Sequence, residues 1–306
     1  MKKLIISMLA LATLSSCDKS NDPQPIHNTD PQAIQLTAKV LSVETVTKAA
    51  VTAFNDTEIG IYGVKEGTTA GTYEWTATPY YNNPGGVKIS SANAITFTTN
   101  VYYPMNNKKV KFHAFYPKVE TITAPGAGTA PQVKYTIDGE TDILYAEVES
   151  GTLDNHITAA NLAFSHKLAK LDFKVIAGTG FEAGVKIKTI TVKSVNADLI
   201  LDLGTATVSA ATPAQTADFK AYDNAAGTEI TATLSEVLGT VMVMPDETYQ
   251  LELTLDNGTV FNLTNQTAPS AGEAYTVKLT FKGTEVSATS SITDWTSTEK
   301  EVEIKK

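Results

Sequence analysis

Four stretches of this chain alternate apolar and polar residues, and that period of two decides what it can fold into. Val110, Phe112, Ala114 and Tyr116 point one way, with Lys109, Lys111 and His113 opposite. Ala169, Leu171, Phe173 and Val175 alternate with Lys170, Asp172 and Lys174. Tyr249, Leu251, Leu253 and Leu255 alternate with Gln250, Glu252, Thr254 and Asp256, and Tyr275, Val277, Leu279 and Phe281 with Thr276, Lys278, Thr280 and Lys282. Successive strand side chains leave on opposite faces, so each stretch predicts a strand with one buried and one solvated face. That is the pattern of antiparallel sheets packed face to face. Asn257-Gly258, between two apolar runs, predicts a tight hairpin. Pro84-Gly85-Gly86, Pro125-Gly126 and Asp138-Gly139 predict turns. No long helical period occurs. Ala232 to Leu238 reads equally as a turn or two of helix or as the approach to a strand at Val241–Met244. The predicted class is all-β, built of sandwiches.

The ends carry a different signal. Lys2 and Lys3 precede an apolar run, Leu4 to Leu14, too short to span a bilayer. The run closes on Leu14-Ser15-Ser16-Cys17, small residues before the chain's one cysteine. This is the form of a lipobox, which predicts a leader over residues 1–16 and a lipid on Cys17; the alternative is an ordinary leader with a chance cysteine. A partner in the membrane, reached through that lipid, follows from the first reading, and stable anchoring takes two or more acyl chains. Residues 17–32, polar and proline-bearing, are expected to form a flexible tether. With a single cysteine no internal disulfide is possible, so burial must hold the fold together. The length suits two domains, expected over residues 33–154 and 155–306, with the boundary near Asp154–Ala160.

Composition excludes some functions. A net charge of −9 argues against nucleic acid as a partner. All 24 basic residues are lysine, which leaves no guanidinium for bidentate phosphate or carboxylate recognition and no site for an arginine-specific protease. The four histidines, His27, His113, His156 and His166, lack the spacing of a metal site, and no nucleophile or phosphate-binding motif appears. No catalytic residue, metal or cofactor is therefore expected. Asp138-Gly139-Glu140-Thr141-Asp142 lacks the twelve-residue calcium loop and reads as an acidic turn. Tyr73, Trp75, Tyr80, Tyr81, Tyr102 and Tyr103 crowd the long loops of the first half, either to pack the core or to form a surface for a glycan or a protein.

Several segments in order resemble the fimbrillin family of Bacteroidetes pilins: LSSC, VTKAAVTAF with TEIGIYGV, VYYPMNNKKVKFHAFYP, TDILYAE, NLAFSHKLAKLDFKV, and EAYTVKLTF with SITDW. The resemblance implies two transthyretin-like antiparallel β-sandwiches in tandem. It implies a surface pilus subunit, structural or at the tip or anchor, exported as a lipoprotein and with a part in adhesion. Its implied partners are other pilus subunits, bound by β-strand exchange, together with host or bacterial surface ligands. In the family a trypsin-like protease cuts after the first strand, and a strand of another subunit takes its place. The cut position falls on Lys48, where the family often has arginine, and the strand removed runs from Ala33 to Val46, in which Ile34, Leu36, Ala38 and Val40 alternate with Gln35, Thr37 and Lys39. Near the other end, Val302 and Ile304 alternate with charged residues and form a short candidate donor strand. The competing reading is a monomeric surface lipoprotein that binds a glycan or a protein.

Overall fold

The structure is a computed structural model that describes residues 30–41, 51, 53–75, 78–123, 128–283, 285–294 and 299–300. Among them there is no helix. In chain order the strands are β1 (Leu36–Val40), β2 (Thr57–Lys65), β3 (Tyr81–Ile89), β4 (Ile95–Thr96), β5 (Val110–Tyr116), β6 (Gln132–Thr136), β7 (Leu144–Glu149) and β8 (Ala160–His166). They continue with β9 (Ala169–Ala177), β10 (Lys186–Asn196), β11 (Asp198–Asp202), β12 (Thr207–Ala210), β13 (Thr216–Glu229) and β14 (Gly239–Val243). The last are β15 (Tyr249–Leu255), β16 (Val260–Gln266), β17 (Glu273–Lys282), β18 (Glu285–Asp294) and β19 (Glu299–Lys300). The all-β class expected from the alternation is the class observed.

The first half is one seven-stranded sheet, ordered β1-β8-β7-β5-β2-β3-β4. It curls until its two edges meet at β1. β1 pairs in parallel with β8 on one side. On the other, Ala38 N–H donates to Asn93 O (2.9 Å) and Ile34 N–H to Val101 O (2.7 Å). The enclosed face holds Ile34, Leu36, Ile59, Ile61, Val87, Ile89, Val110, Phe112, Leu162 and Phe164. Gly60 makes one close approach possible. It stands opposite Phe115 in the β2–β5 ladder, and a Cβ at residue 60 would lie 2.1 Å from that ring.

The second half is a sandwich. One sheet runs β14-β9-β17-β18-β19 and the facing sheet β13-β10-β15-β16. The predicted alternation lands as expected: Leu171, Phe173, Val175, Val277, Leu279 and Phe281 face Ile187, Ile190, Val192, Leu251, Leu253 and Leu255 in one core. Burial of each such side chain contributes about 1.5–3 kcal/mol. The Asn257-Gly258 turn joins β15 to β16 with Gly258 at φ 84°, Leu255 N–H donating to Thr259 O and Gly258 N–H to Leu255 O. This is a type I turn followed by a left-handed residue, a conformation glycine adopts without strain. Ala232 to Leu238 forms no helix and leads into β14.

Three features depart from the sequence expectations. Pro84-Gly85-Gly86 does not end a strand; it lies inside β3, at a register shift opposite Ile59–Ile61 of β2. The extra backbone is a bulge, which glycine tolerates and in which proline's missing N–H matters little. The second face of β5 is not solvated. His113 and Phe115 are buried there, and Phe115 joins Tyr62, Val64 and Tyr145 in the core of the second half. The halves also interlock. β6 leaves the first sheet to pair with β11, Val133 opposite Leu201 and Tyr135 opposite Leu199. β8, which follows the expected boundary at 154/155, hydrogen-bonds to β7 and β1, so after β6 the chain returns to the first sheet and leaves it again at Lys167–Leu168.

Candidate functional site

β1 is the element on which any strand exchange turns, and its seat can be built from its side chains. Ile34, Leu36 and Ala38 point inward and are 3%, 2% and 1% exposed, with half-buried Val40 at the rim. The outward residues are Gln35, Thr37 and Lys39, with Gln35 and Lys39 exposed and Thr37 half-buried. Alternation of this kind lets a five-residue strand lock its register, because a slip by one residue would bury the polar set. The backbone is held on both sides. Leu36 stands opposite Ala160 and Val40 opposite Phe164, and Leu41 N–H donates to Phe164 O (2.8 Å). Across the strand, Tyr103 N–H donates to Gln32 O (2.9 Å), beside the bonds to Asn93 and Val101.

Val51, beyond segment 42–50, is anchored to the first sheet. Val51 N–H donates to Asp142 Oδ2 (3.1 Å), and the same oxygen lies 2.8 Å from His166 Nδ1. Both side chains are buried. Removing either side chain would take from the other a buried hydrogen-bond partner. Phe54 adds an apolar anchor, its ring edge-on to Phe164 at 4.9 Å between centroids. Residues on both sides of segment 42–50 are thus tied to the first sheet independently. The sequence reading placed Asp142 in an acidic turn; its contact with His166, across 24 residues, carries no local signal. Asp138 closes the turn itself, its Oδ1 accepting from Glu140 N–H, Thr141 N–H and the Thr141 hydroxyl. Those bonds hold its carboxyl below the usual range, against burial, which pushes the other way.

The predicted sites Cys17, Lys48, Val302 and Ile304 lie outside the described residues.

The six loop aromatics divide. Trp75 stacks toward Tyr62 (6.0 Å) and His113 (4.9 Å) at the junction of the halves. Tyr73 packs on the same core, and Tyr81 is edge-on to Phe97. Tyr103 is buried, its hydroxyl donating to Ser150 O. Tyr80 and Tyr102 instead line an open cleft of about 740 Å³ with Pro31, Pro104 and Met105, where Tyr102 is 43% exposed. The Tyr80 hydroxyl donates to Tyr102 O and holds that wall in place.

The junction contains a polar cluster that runs from buried His113 and Tyr145 out to exposed Glu147. His113 Nδ1 lies 2.6 Å from the Tyr145 hydroxyl, which is 2.9 Å from Leu203 O of the second half. Glu147 follows at 3.1 Å and is paired with Lys111. Burial pushes His113 down to about 4, the nearby Glu147 opposing it. The imidazole is therefore neutral at pH 7 and links the halves as a hydrogen-bonding group, not as a charge.

Comparison with known proteins bears on most of the chain. The fimbrillin-like family matches residues 47–295. Among solved structures, a candidate cell adhesion protein from Bacteroides uniformis superposes with a TM-score of 0.57 at 19% identity, covering 86% of this chain and 99% of that one. One from Bacteroides ovatus gives 0.57 and 19% over 87% and 98%. One from Parabacteroides distasonis gives 0.52 and 11% over 86% and 96%. At such identities the likeness establishes the fold. No curated protein matches the chain.

Proposed function

The chain belongs to the fimbrillin-like family, and from that premise we propose that it is a pilus subunit with a part in adhesion, exported as a lipoprotein on Cys17 and assembled by exchange of its first strand. The observation that carries this reading is the seat of β1. The strand closes the first sheet, is bonded on both flanks, and buries three apolar side chains, yet among the described residues its covalent link to the rest of the sheet runs through the chain that follows it. A cut after Lys48 would free the chain through Lys48, and β1 with it. It would leave unpaired N–H and C=O groups along β8 and residues 93–103, each buried one costing about 1–3 kcal/mol. That cost, with the uncovered apolar face, is the drive for capture of another strand. The Val51–Asp142–His166 contact keeps the downstream chain seated when the upstream part leaves.

Mass spectrometry of the surface protein tests the reading. We expect acylated Cys17 in the precursor and a shorter form beginning at Ala49 in the assembled state. Trypsin should cut the folded chain early at Lys48, ahead of the lysines held in bonded strands, and Lys48→Gln should leave soluble monomer. A Lys48→Gln protein that still assembles ends the proposal. One observation favours the alternative, a monomeric surface lipoprotein that binds a glycan or a protein: the cleft walled by Tyr80 and Tyr102. In that case the assembled form is absent and the lipid is retained.

A further inference from the structure

The groove beneath β1 is selective, and the order of its pockets identifies what fills it. Along the strand the inward positions are Ile34, Leu36, Ala38 and Val40: large, large, small, then a half-buried rim. Ala38 is the most enclosed of them, 1% exposed, with its N–H bonded to Asn93 O and Leu162 opposite in the ladder. A close-packed interior has no room for added methylenes there without displacing its neighbours. The three inner positions are also apolar throughout, so an ammonium group brought to any of them would be stripped of water without a partner.

The tail of this same chain does not meet those conditions. Its even-numbered residues run Thr296, Thr298, Lys300, Val302, Ile304, Lys306. A strand that buries both Val302 and Ile304 carries Lys300 and Lys306 on the same face, because strand side chains alternate with period two. In the parallel direction, Val302 and Ile304 at the positions of Ile34 and Leu36 bring Lys306 to that of Ala38. A shift by two residues brings Lys300 to the position of Ile34. The antiparallel registers likewise bring one of the two lysines to an inner position. The opposite face of the tail is charged at Glu299, Glu301, Glu303 and Lys305.

We propose that the groove left by β1 takes a strand from a different subunit, one whose inward residues run large, large, small, and that it rejects the tail of another copy of this chain. The inference rests on the strand-exchange reading above and adds the partner to it: this subunit joins a mixed pilus and does not polymerise with itself through this groove. Ala38 sets the specificity by volume, and the apolar lining sets it by charge.

The test uses the full chain with a sequence-specific protease site placed within residues 42–50, cut and freed of its leading strand, with labelled peptides added and read by fluorescence anisotropy. A peptide copying residues 32–41 should rebind. The same peptide with Ala38→Leu should bind at least about tenfold more weakly, the effect of about 1.4 kcal/mol of overpacking. An amidated peptide of residues 296–306 should show no binding at concentrations that saturate the first. A single change in it, Lys306→Ala, restores the large, large, small order in the parallel register and should produce binding. The proposal is overturned if the native tail binds within about tenfold of the 32–41 peptide, if Ala38→Leu makes no difference, or if Lys306→Ala brings no gain. Should the 32–41 peptide itself fail to rebind, the strand-exchange reading falls, and the pocket order falls with it; the first three results leave that reading standing.

Discussion

Each half of the molecule contains one parallel pair of strands in an otherwise antiparallel sheet, and the two pairs have opposite consequences. In the first half β1 runs parallel to β8, and in the second β9 runs parallel to β17. Both β1 and β9 are flanked on both sides, and both bury their inward side chains almost completely. β9 is connected at both ends to described strands, and its withdrawal would require two breaks and the loss of the sandwich core. β1 is followed by segment 42–50 and preceded by what reads as a tether, so one break suffices. Burial alone does not decide whether a strand is exchangeable. Chain connectivity does, and the anchor at Val51 limits the loss to the strand itself.

The largest test of this contrast is truncation of one core residue in each parallel pair. Phe173→Ala in β9 should lower stability by about 3–5 kcal/mol in both the intact and the cut, strand-free protein. Leu36→Ala in β1 should lower it by about 2–5 kcal/mol in the intact protein and leave the strand-free form unchanged. Urea midpoints of the four species measure this. A Leu36→Ala effect that survived removal of the strand would break the comparison.

The junction between the halves supplies the next test, through pH. His113 is neutral in the fold, its pKa pushed down to about 4 by burial, with 6.5 as its ordinary value. Below pH 6.5 the unfolded chain takes up a proton that the folded chain refuses until about pH 4. Stability therefore falls as pH drops through that window and levels off beneath it, by about 3 kcal/mol in all. His113→Gln should flatten that part of the profile in chemical denaturation at a series of pH values. An unchanged slope would mean that the imidazole is not what couples the halves to acid.

The smallest effect is expected at the hairpin of the second half. Gly258 has φ 84° and open space where a Cβ would stand, so Gly258→Val acts through the backbone alone. It should cost about 1–3 kcal/mol, equally in intact and cut protein, and should leave peptide rebinding untouched. A change in rebinding would show that the second half contributes to the groove after all.

Sequence alone determined the strand class, the inward faces of β9, β15 and β17, the Gly258 hairpin and the alternation of the β1 segment. Each is local, because a strand with one buried face must alternate and a left-handed turn position selects glycine. Tertiary structure decided what local rules do not reach. The face of β5 that carries Lys111 and His113 reads as solvated, but the second half lies over it and turns His113 into a buried link. Leu162 and Phe164 alternate like the residues of β9 that follow them, yet β8 belongs to the first sheet, because alternation reports a strand's two faces and not its neighbours. Pro84-Gly85-Gly86 reads as a turn, although a bulge makes the same use of its missing donor and missing side chains. At the candidate site the inward residues of β1 were legible, but their enclosure from both flanks and the Asp142–His166 anchor were not. Those depend on pairing residues tens of positions apart, which long-range packing selects and no local propensity encodes.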